Sequence, residues 1–516
     1  MSSRNLRTPL LCAVAILLSR GSHAVAQSKA GDPAQRIQRI EANAVDLAVH
    51  ANEPPLQLSL QQLMELYKIP GFSIAVIDDY KIVWAKAYGV TDAGSKIPVT
   101  TKTLFQAGSI SKPVAATGAL YLVEKGKLSL DEPVNEKLKT WKVPDNEFTA
   151  TQKVTLRRLM SHTAGLTVHG FPGYDVDEPL PTLVQILNGE KPANTAPIRV
   201  DVRPGTLERY SGGGITIEQQ LMIDVTGKPF PDFMRETAFD KIGMIDSSYA
   251  QPLPPDWAKR TAAGTDMAGK AVHGRWHVYP EMAAAGLWTT PTDLATFAIE
   301  IALSKQGKAN HVLSEKMTKE MLTPVMDEAG LGFFLDQRNP GQFGHNGADD
   351  GFQALLTMNA DTGKGLAIMV NSDLGIAAAE FVLRSVAREY GWNYHSGPLT
   401  FSKLLVLARA KGAPATLQYY GELKKSGDKD SDISEGTLNG LGYMLLNSGQ
   451  TQEAIAMFQR NVQEYPQSSN VYDSLGEGYM KAGQKDLAIA NYEKSLQLDP
   501  KNQNAVDMLK KLKATQ

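Results

Sequence analysis

The chain has 516 residues, enough for more than one domain. With 42% hydrophobic and 21% charged residues it has the make-up of a globular protein, not of a disordered or fibrous one. A formal net charge of −2 without a basic block excludes the electrostatic footprint of a protein that binds nucleic acid or an anionic membrane surface.

Arg4 and Arg7 precede a short apolar core over 9–18, and Ala24-Val25-Ala26 supplies a small-x-small cleavage site. Residues 1–26 are therefore expected to be a cleaved signal peptide, with the mature chain starting at Gln27 and the protein periplasmic or secreted. The apolar run is too short for a stable membrane anchor. Leu11 is too large for a lipoprotein box before Cys12. Cys12 is the only cysteine, so its removal leaves a chain without disulfides, thiolate catalysis or Cys-ligated zinc.

Residues 27–55 are polar and read as partly helical. The β-rich runs 72–78 and 82–88 flank Asp79-Tyr80-Lys81 and read as a hairpin. Next comes Ser109-Ile110-Ser111-Lys112, behind Ala107-Gly108 and ahead of an apolar run to Val123. Residues three apart share a helix face, so the Lys112 amine can reach the Ser109 oxygen, the minimum for a serine nucleophile with its own base. Gly108 permits an unusual turn or close approach, Pro113 is tolerated in a first helical turn, and Lys125-Gly126 closes the helix. The same four-residue pattern at Ser426-Gly427-Asp428-Lys429 sits in a polar, charged stretch and reads as chance.

Residues 127–250 mix helical patterns with Gly/Pro loops. Runs 352–358 and 366–370 are again strand-like, joined through Asp361-Thr362-Gly363, and 377–390 reads as a helix. Strands at both ends of a helical middle predict an α/β domain over 45–395, an antiparallel sheet flanked by helices with an all-helical subdomain, closed by pairing N- and C-terminal strands. From 436 onward a 34-residue period relates Leu441-Gly442 to Leu475-Gly476, Ala454 to Ala488, Phe458 to Tyr492 and Pro466 to Pro500. This is similar to the tetratricopeptide repeat. An all-α repeat segment is expected over 436–516, ending in a capping helix. Residues 396–435 read as a helical linker or degenerate repeat, with the flexible joint at 427–434. The repeats offer a surface for a protein or peptide partner, or for packing on the preceding domain.

Two further segments join Ser109: Arg209-Tyr210-Ser211-Gly212-Gly213-Gly214, and Gly344-His345-Asn346-Gly347 ahead of the strand at 352. In order and spacing the three resemble the motifs of the serine β-lactamase and penicillin-binding superfamily, in its class C-like branch of esterases and peptidases. Leu159-Met160-Ser161-His162-Thr163-Ala164-Gly165-Leu166 and Ala285-Gly286-Leu287-Trp288-Thr289-Thr290 look like the same branch. The resemblance implies Ser109 as nucleophile, Lys112 and Tyr210 as its proton-handling partners, and an oxyanion hole from the backbone N–H groups of Ser109 and Ala348. It implies substrate contacts from His345, Asn346, Gly347 and Gly212, a small acyl or peptide substrate, and no metal or organic cofactor. Two positions depart from the family. Gly212 stands where asparagine is common, and His345 where β-lactamases carry lysine. Both lean toward ester, amide or peptide hydrolysis, with a true β-lactamase or D,D-peptidase as the alternative. The Gly212 departure also keeps open a catalytically degenerate binding scaffold. His162 reads as a packed structural residue. His273 and His277 have metal-ligand spacing, but Gly269 and Gly274 argue against the helix that would use it. Trp84, Trp288 and Trp392 read as core.

Overall fold

A computed structural model describes residues 32–49, 54–394, 399–427 and 431–514. The expected signal peptide and Lys429 lie outside them. The chain enters through α1 (Pro33–Ala42) and α2 (Leu60–Leu66), both capped by side chains, Asp32 for α1 and Ser59 for α2. Between them Val45–Leu47 and Leu56–Leu58 pair as short antiparallel strands, which the polar composition did not suggest.

The expected hairpin is β1 (Gly71–Asp78) and β2 (Lys81–Gly89). Its two turn residues, Asp79 and Tyr80, have φ of 50° and 59°, as a two-residue hairpin turn requires. Tyr80 is held there because its N–H donates to Gly363 O (3.0 Å) and its hydroxyl to Ala360 O (3.1 Å). The middle of the chain builds the helical subdomain around α3 (Ser111–Glu124), α4 (Gly212–Thr226) and α5 (Pro291–Lys305). Strands return as β3 (Phe334–Leu335), β4 (Gln342–Asp349), β5 (Phe352–Asn359) and β6 (Lys364–Val370), followed by α6 (Gly375–Tyr390). The sheet order is β2-β1-β6-β5-β4-β3, antiparallel throughout, so β1 pairs with β6 and the ends of the domain close on each other as expected.

Both faces of this sheet are buried. Ala75 and Ile77 of β1 face the helical subdomain, whereas Phe72, Ile74 and Val76 face a second core. That explains why the central strands are continuous apolar runs without polar alternation. The second core extends from α1, α2 and α6 through α7 (Thr400–Ser426) into α8 (Glu435–Asn447), α9 (Thr451–Glu464), α10 (Ser469–Lys481), α11 (Lys485–Leu498) and α12 (Gln503–Ala514). Gly412, at φ 79° and ψ 179°, breaks α7 into two arms.

The repeat signature has a packing cause. A Cβ on Gly442 would stand 2.3 Å from the Phe458 ring, and one on Gly476 would stand 3.1 Å from Tyr492. The small residue of each first helix therefore receives the large ring of the second. The repeats are fastened to the α/β domain: Lys68 Nζ donates to Ser448 O (3.3 Å), and Arg409 Nε donates to Leu66 O (2.9 Å) while its guanidinium lies 5.3 Å from the Tyr67 ring. Of the two roles the sequence left open for the repeat segment, packing on the preceding domain is present.

Candidate active site

Ser109 lies in a short 3₁₀ turn (Gly108–Ile110) that runs into α3. The turn is pinned from several sides. Ser111 Oγ donates to Gly108 O (2.6 Å) and accepts from Leu287 N (3.0 Å), and Tyr249 donates to Ser111 O (2.6 Å). Lys112 is 2% exposed, and its Nζ contacts Ser109 Oγ at 2.8 Å and Ala284 O at 2.7 Å. One donor of the amine thus goes to the Ala284 carbonyl and another to the Ser109 hydroxyl.

Tyr210 reaches the same cavity from the segment before α4. Arg209 N donates to His162 O (2.8 Å), Ser211 N donates to His162 Nδ1 (3.3 Å), and Ser211 caps α4 by accepting from Gly214 N (3.0 Å). These bonds hold the residues on either side of Tyr210, and its ring stands 4.9 Å from Lys112 Nζ. The ring is enclosed by others, with centroid distances of 4.3 Å to His162, 4.8 Å to His169 and 6.2 Å to Phe334. His162 is buried and structural, as expected, yet it forms the platform under the phenol, which the sequence reading missed. His169, Phe171 and Phe334 were missed too, because they lie in loops and a two-residue strand without periodic pattern.

β4 supplies the third wall. Gly347 lies so close to the Ser109 turn that a Cβ there would stand 1.9 Å from Ala107 O and 3.2 Å from Ser109 N. Gly108 has φ of +51°, and its Cβ would stand 2.4 Å from Ala348 N. Two glycines thus let two backbones meet, which brings the amides of Ser109 and Ala348 to one place. His345, on the same face of β4 as Gly347, is 6% exposed. Its Nδ1 donates to Asn346 O at 2.5 Å, since a carbonyl can only accept, so Nε2 is left as an acceptor without a partner among the described residues. Burial, with the nearby Lys112 charge as second cause, pushes the His345 pKa down to about 3, so this imidazole is neutral.

One expected substrate contact is corrected. Gly212 is buried and absent from the cavity wall, because His169 and Phe171 cover it: a Cβ there would meet Phe171 at 3.0 Å and His169 O at 3.1 Å. The space an asparagine would need is filled by this loop. Asn346 is exposed and lines the cavity, its side chain turned by strand alternation to the opposite face of the sheet from His345 and Ser109. The expected helix break holds at His273 and His277, where Gly274 has φ of 63° inside a three-residue turn.

Sequence reasoning also missed three buried carboxyls. Glu218 on α4 and Glu281 before Ala284 are fully buried, and neither has a hydrogen-bond partner for its carboxyl oxygens among the described residues. Burial pushes each up to about 8. Asp349, which accepts from Gly108 N–H, is raised well above the carboxylate range, again chiefly by burial. Lys112 interacts electrostatically with Glu218 and Asp349, and burial outweighs that attraction in raising both carboxyls.

A family model described as Beta-lactamase matches residues 56–389, and tetratricopeptide-repeat models match 440–468 and 469–502. A "Beta-lactamase" of Pseudomonas fluorescens is 30% identical over 46% of this chain and 61% of its own length. "Penicillin-binding protein 4" of Amycolatopsis lactamdurans is 26% identical over 61% of this chain and 84% of its own length. Among solved structures, the octameric penicillin-binding protein homologue from Pyrococcus abyssi shares the fold, with a TM-score of 0.55 and 23% identity over 67% of this chain and 79% of that one.

The buried carboxyls predict the pH dependence of stability. Folded, Glu218 and Glu281 keep their protons to about pH 8; unfolded, they release them in the ordinary carboxylate range. Between these limits the folded chain binds more protons, so stability falls as pH rises, by at most about 1.4 kcal/mol per pH unit for each group. The thermal midpoint is expected to drop between pH 5 and 8, and Glu218→Gln with Glu281→Gln is expected to flatten that drop in a melting series.

Proposed function

Because this chain belongs to the beta-lactamase family, we propose that it is an exported serine hydrolase that forms an acyl-enzyme on Ser109 and cleaves an ester, amide or peptide bond. The observation that carries this reading is the 2.8 Å contact between Lys112 Nζ and Ser109 Oγ inside a buried pocket. Ser109 Oγ attacks the substrate carbonyl carbon as its proton passes to Lys112. The carbonyl oxygen becomes an oxyanion facing the amides of Ser109 and Ala348. Preorganised donors of this kind lower the barrier by about 3 kcal/mol each. Collapse breaks the bond to the leaving group, which takes a proton through Tyr210. Water then attacks the acyl-enzyme with the proton path reversed, releasing the acid and restoring Ser109.

The neutral His345 bears on the substrate. A penicillin-type or C-terminal carboxylate lying along β4 would meet an uncharged imidazole there, not a fixed cation. Arg338, which also lines the cavity, is paired with Asp336 at 3.3 Å. Both facts favour uncharged esters and amides over β-lactams and D,D-peptides. Export follows from the expected signal peptide. A chain recovered from a bacterial periplasm is expected to begin at Gln27 by N-terminal mass analysis, and an uncleaved Met1 would refute this. Beyond its packing on the α/β domain, the repeat segment offers a face to a protein or peptide partner.

The expected kinetics are specific. Ser109→Ala abolishes labelling by a fluorophosphonate. Tyr210→Phe lowers kcat for a phenyl ester by about 10² to 10⁴, with little change in the melting temperature. Undiminished labelling of Ser109→Ala refutes the assignment. No labelling of the parent chain either would leave the binding scaffold as the surviving reading.

A further inference from the structure

The catalytic cavity, about 1080 Å³, is larger than a small ester requires, and it does not end at the sheet. β3 covers only the start of the outer edge of β4, pairing with Phe343 and Gly344. Past that point the edge carries no strand, and the cavity wraps around it from His345 to the opposite face. There its lining changes character. Leu355 of the sheet, Ile376 of α6, Phe401 and Leu405 of α7, and Met444 of α8 form apolar walls, which Gln353, Glu380, Arg384 and Tyr394 share. Helices of the C-terminal module thus contribute to the cavity that holds Ser109.

Protein cores are close-packed, with few voids larger than a water molecule, so a cavity that runs from Ser109 to these helices is not a packing remainder. Its continuity with the nucleophile says what enters it. The leaving group must depart before water attacks, and a lobe reached around an edge strand lies off the direct route out. The acyl group stays bound through both half-reactions. We propose that this lobe is an acyl-chain subsite, built jointly by the sheet and the repeat module, which takes the apolar end of a substrate whose acyl group is long enough to pass the edge of the sheet. In the wall, Ser402 Oγ donates to Glu380 Oε2 at 2.7 Å, so this polar pair is satisfied without the chain that enters.

This inference rests on the serine hydrolase reading and deepens it by naming the substrate class. The test compares acetyl and octanoyl esters of one phenol on the full chain. The kcat/KM ratio of octanoyl to acetyl is expected to exceed one by at least about tenfold, since each added methylene in an apolar pocket contributes discrimination of that order. Met444→Trp, filling the lobe from the repeat side, is expected to lower the ratio about tenfold. Ile376→Trp, filling it from α6, should do the same, so that a folding defect in one variant leaves the other decisive. A ratio near one, or a ratio indifferent to both substitutions while the esters are still cleaved, overturns the subsite and leaves the hydrolase standing. Failure of both esters together with absent fluorophosphonate labelling of Ser109 overturns the hydrolase reading, and the subsite with it.

Discussion

The meeting of two backbones at Gly108 and Gly347 is the constraint on which the rest depends. More than two hundred residues separate them in sequence, and neither position has room for a side chain. The approach is possible because β6 closes on β1, placing the C-terminal strands beside the segment that leads into the nucleophile turn. A Cβ at either glycine would push strand and turn apart and carry the Ala348 amide away from Ser109. The sheet therefore serves the site directly: it fixes where the Ala348 amide stands relative to that of Ser109, the pair proposed to bind the oxyanion.

Around that junction the site is kept nearly free of fixed charge. The imidazole of His345 is neutral because it is buried, and so is that of His162 beneath the phenol, for the same reason. The carboxyls of Glu218 and Asp349 are protonated because they too are buried. The Lys112 amine stands among these groups, 2.8 Å from Ser109 Oγ. The arrangement has a cost in stability, since desolvated carboxyls without partners work against folding as pH rises. Their persistence beside Lys112 ties that cost to the chemistry of the pocket.

Much of the fold was legible because its signals are local. The hairpin at Asp79-Tyr80, the helix behind Ser109 and the 34-residue period each follow from a turn, a periodicity or a repeat. Ser109, the proposed nucleophile, and its proposed partners Lys112 and Tyr210 were legible as spaced motifs, and the structure brings all three to one cavity. What escaped the sequence was relational. Nothing in the string Ser211-Gly212-Gly213 shows that His169 and Phe171 lie over it and fill the space of an asparagine side chain. Asn346 was read with its motif neighbours, although strand alternation sends it to the other face. Glu218 and Glu281 look like ordinary charged residues until burial is known, and burial is a property of the assembled core. The repeats were legible as helices, but their share in the catalytic cavity depends on how α7 and α8 dock behind the sheet.

The central claim is that Ser109, activated through Lys112, carries the acyl group between two half-reactions. Rapid acid quench of the full chain during turnover of an octanoyl ester, followed by peptide mass analysis, tests it most directly. The account predicts a transient octanoyl adduct on the peptide containing Ser109, absent in Ser109→Ala. Turnover without any adduct on that peptide, or an adduct that persists when the Ser109 hydroxyl is removed, would contradict it.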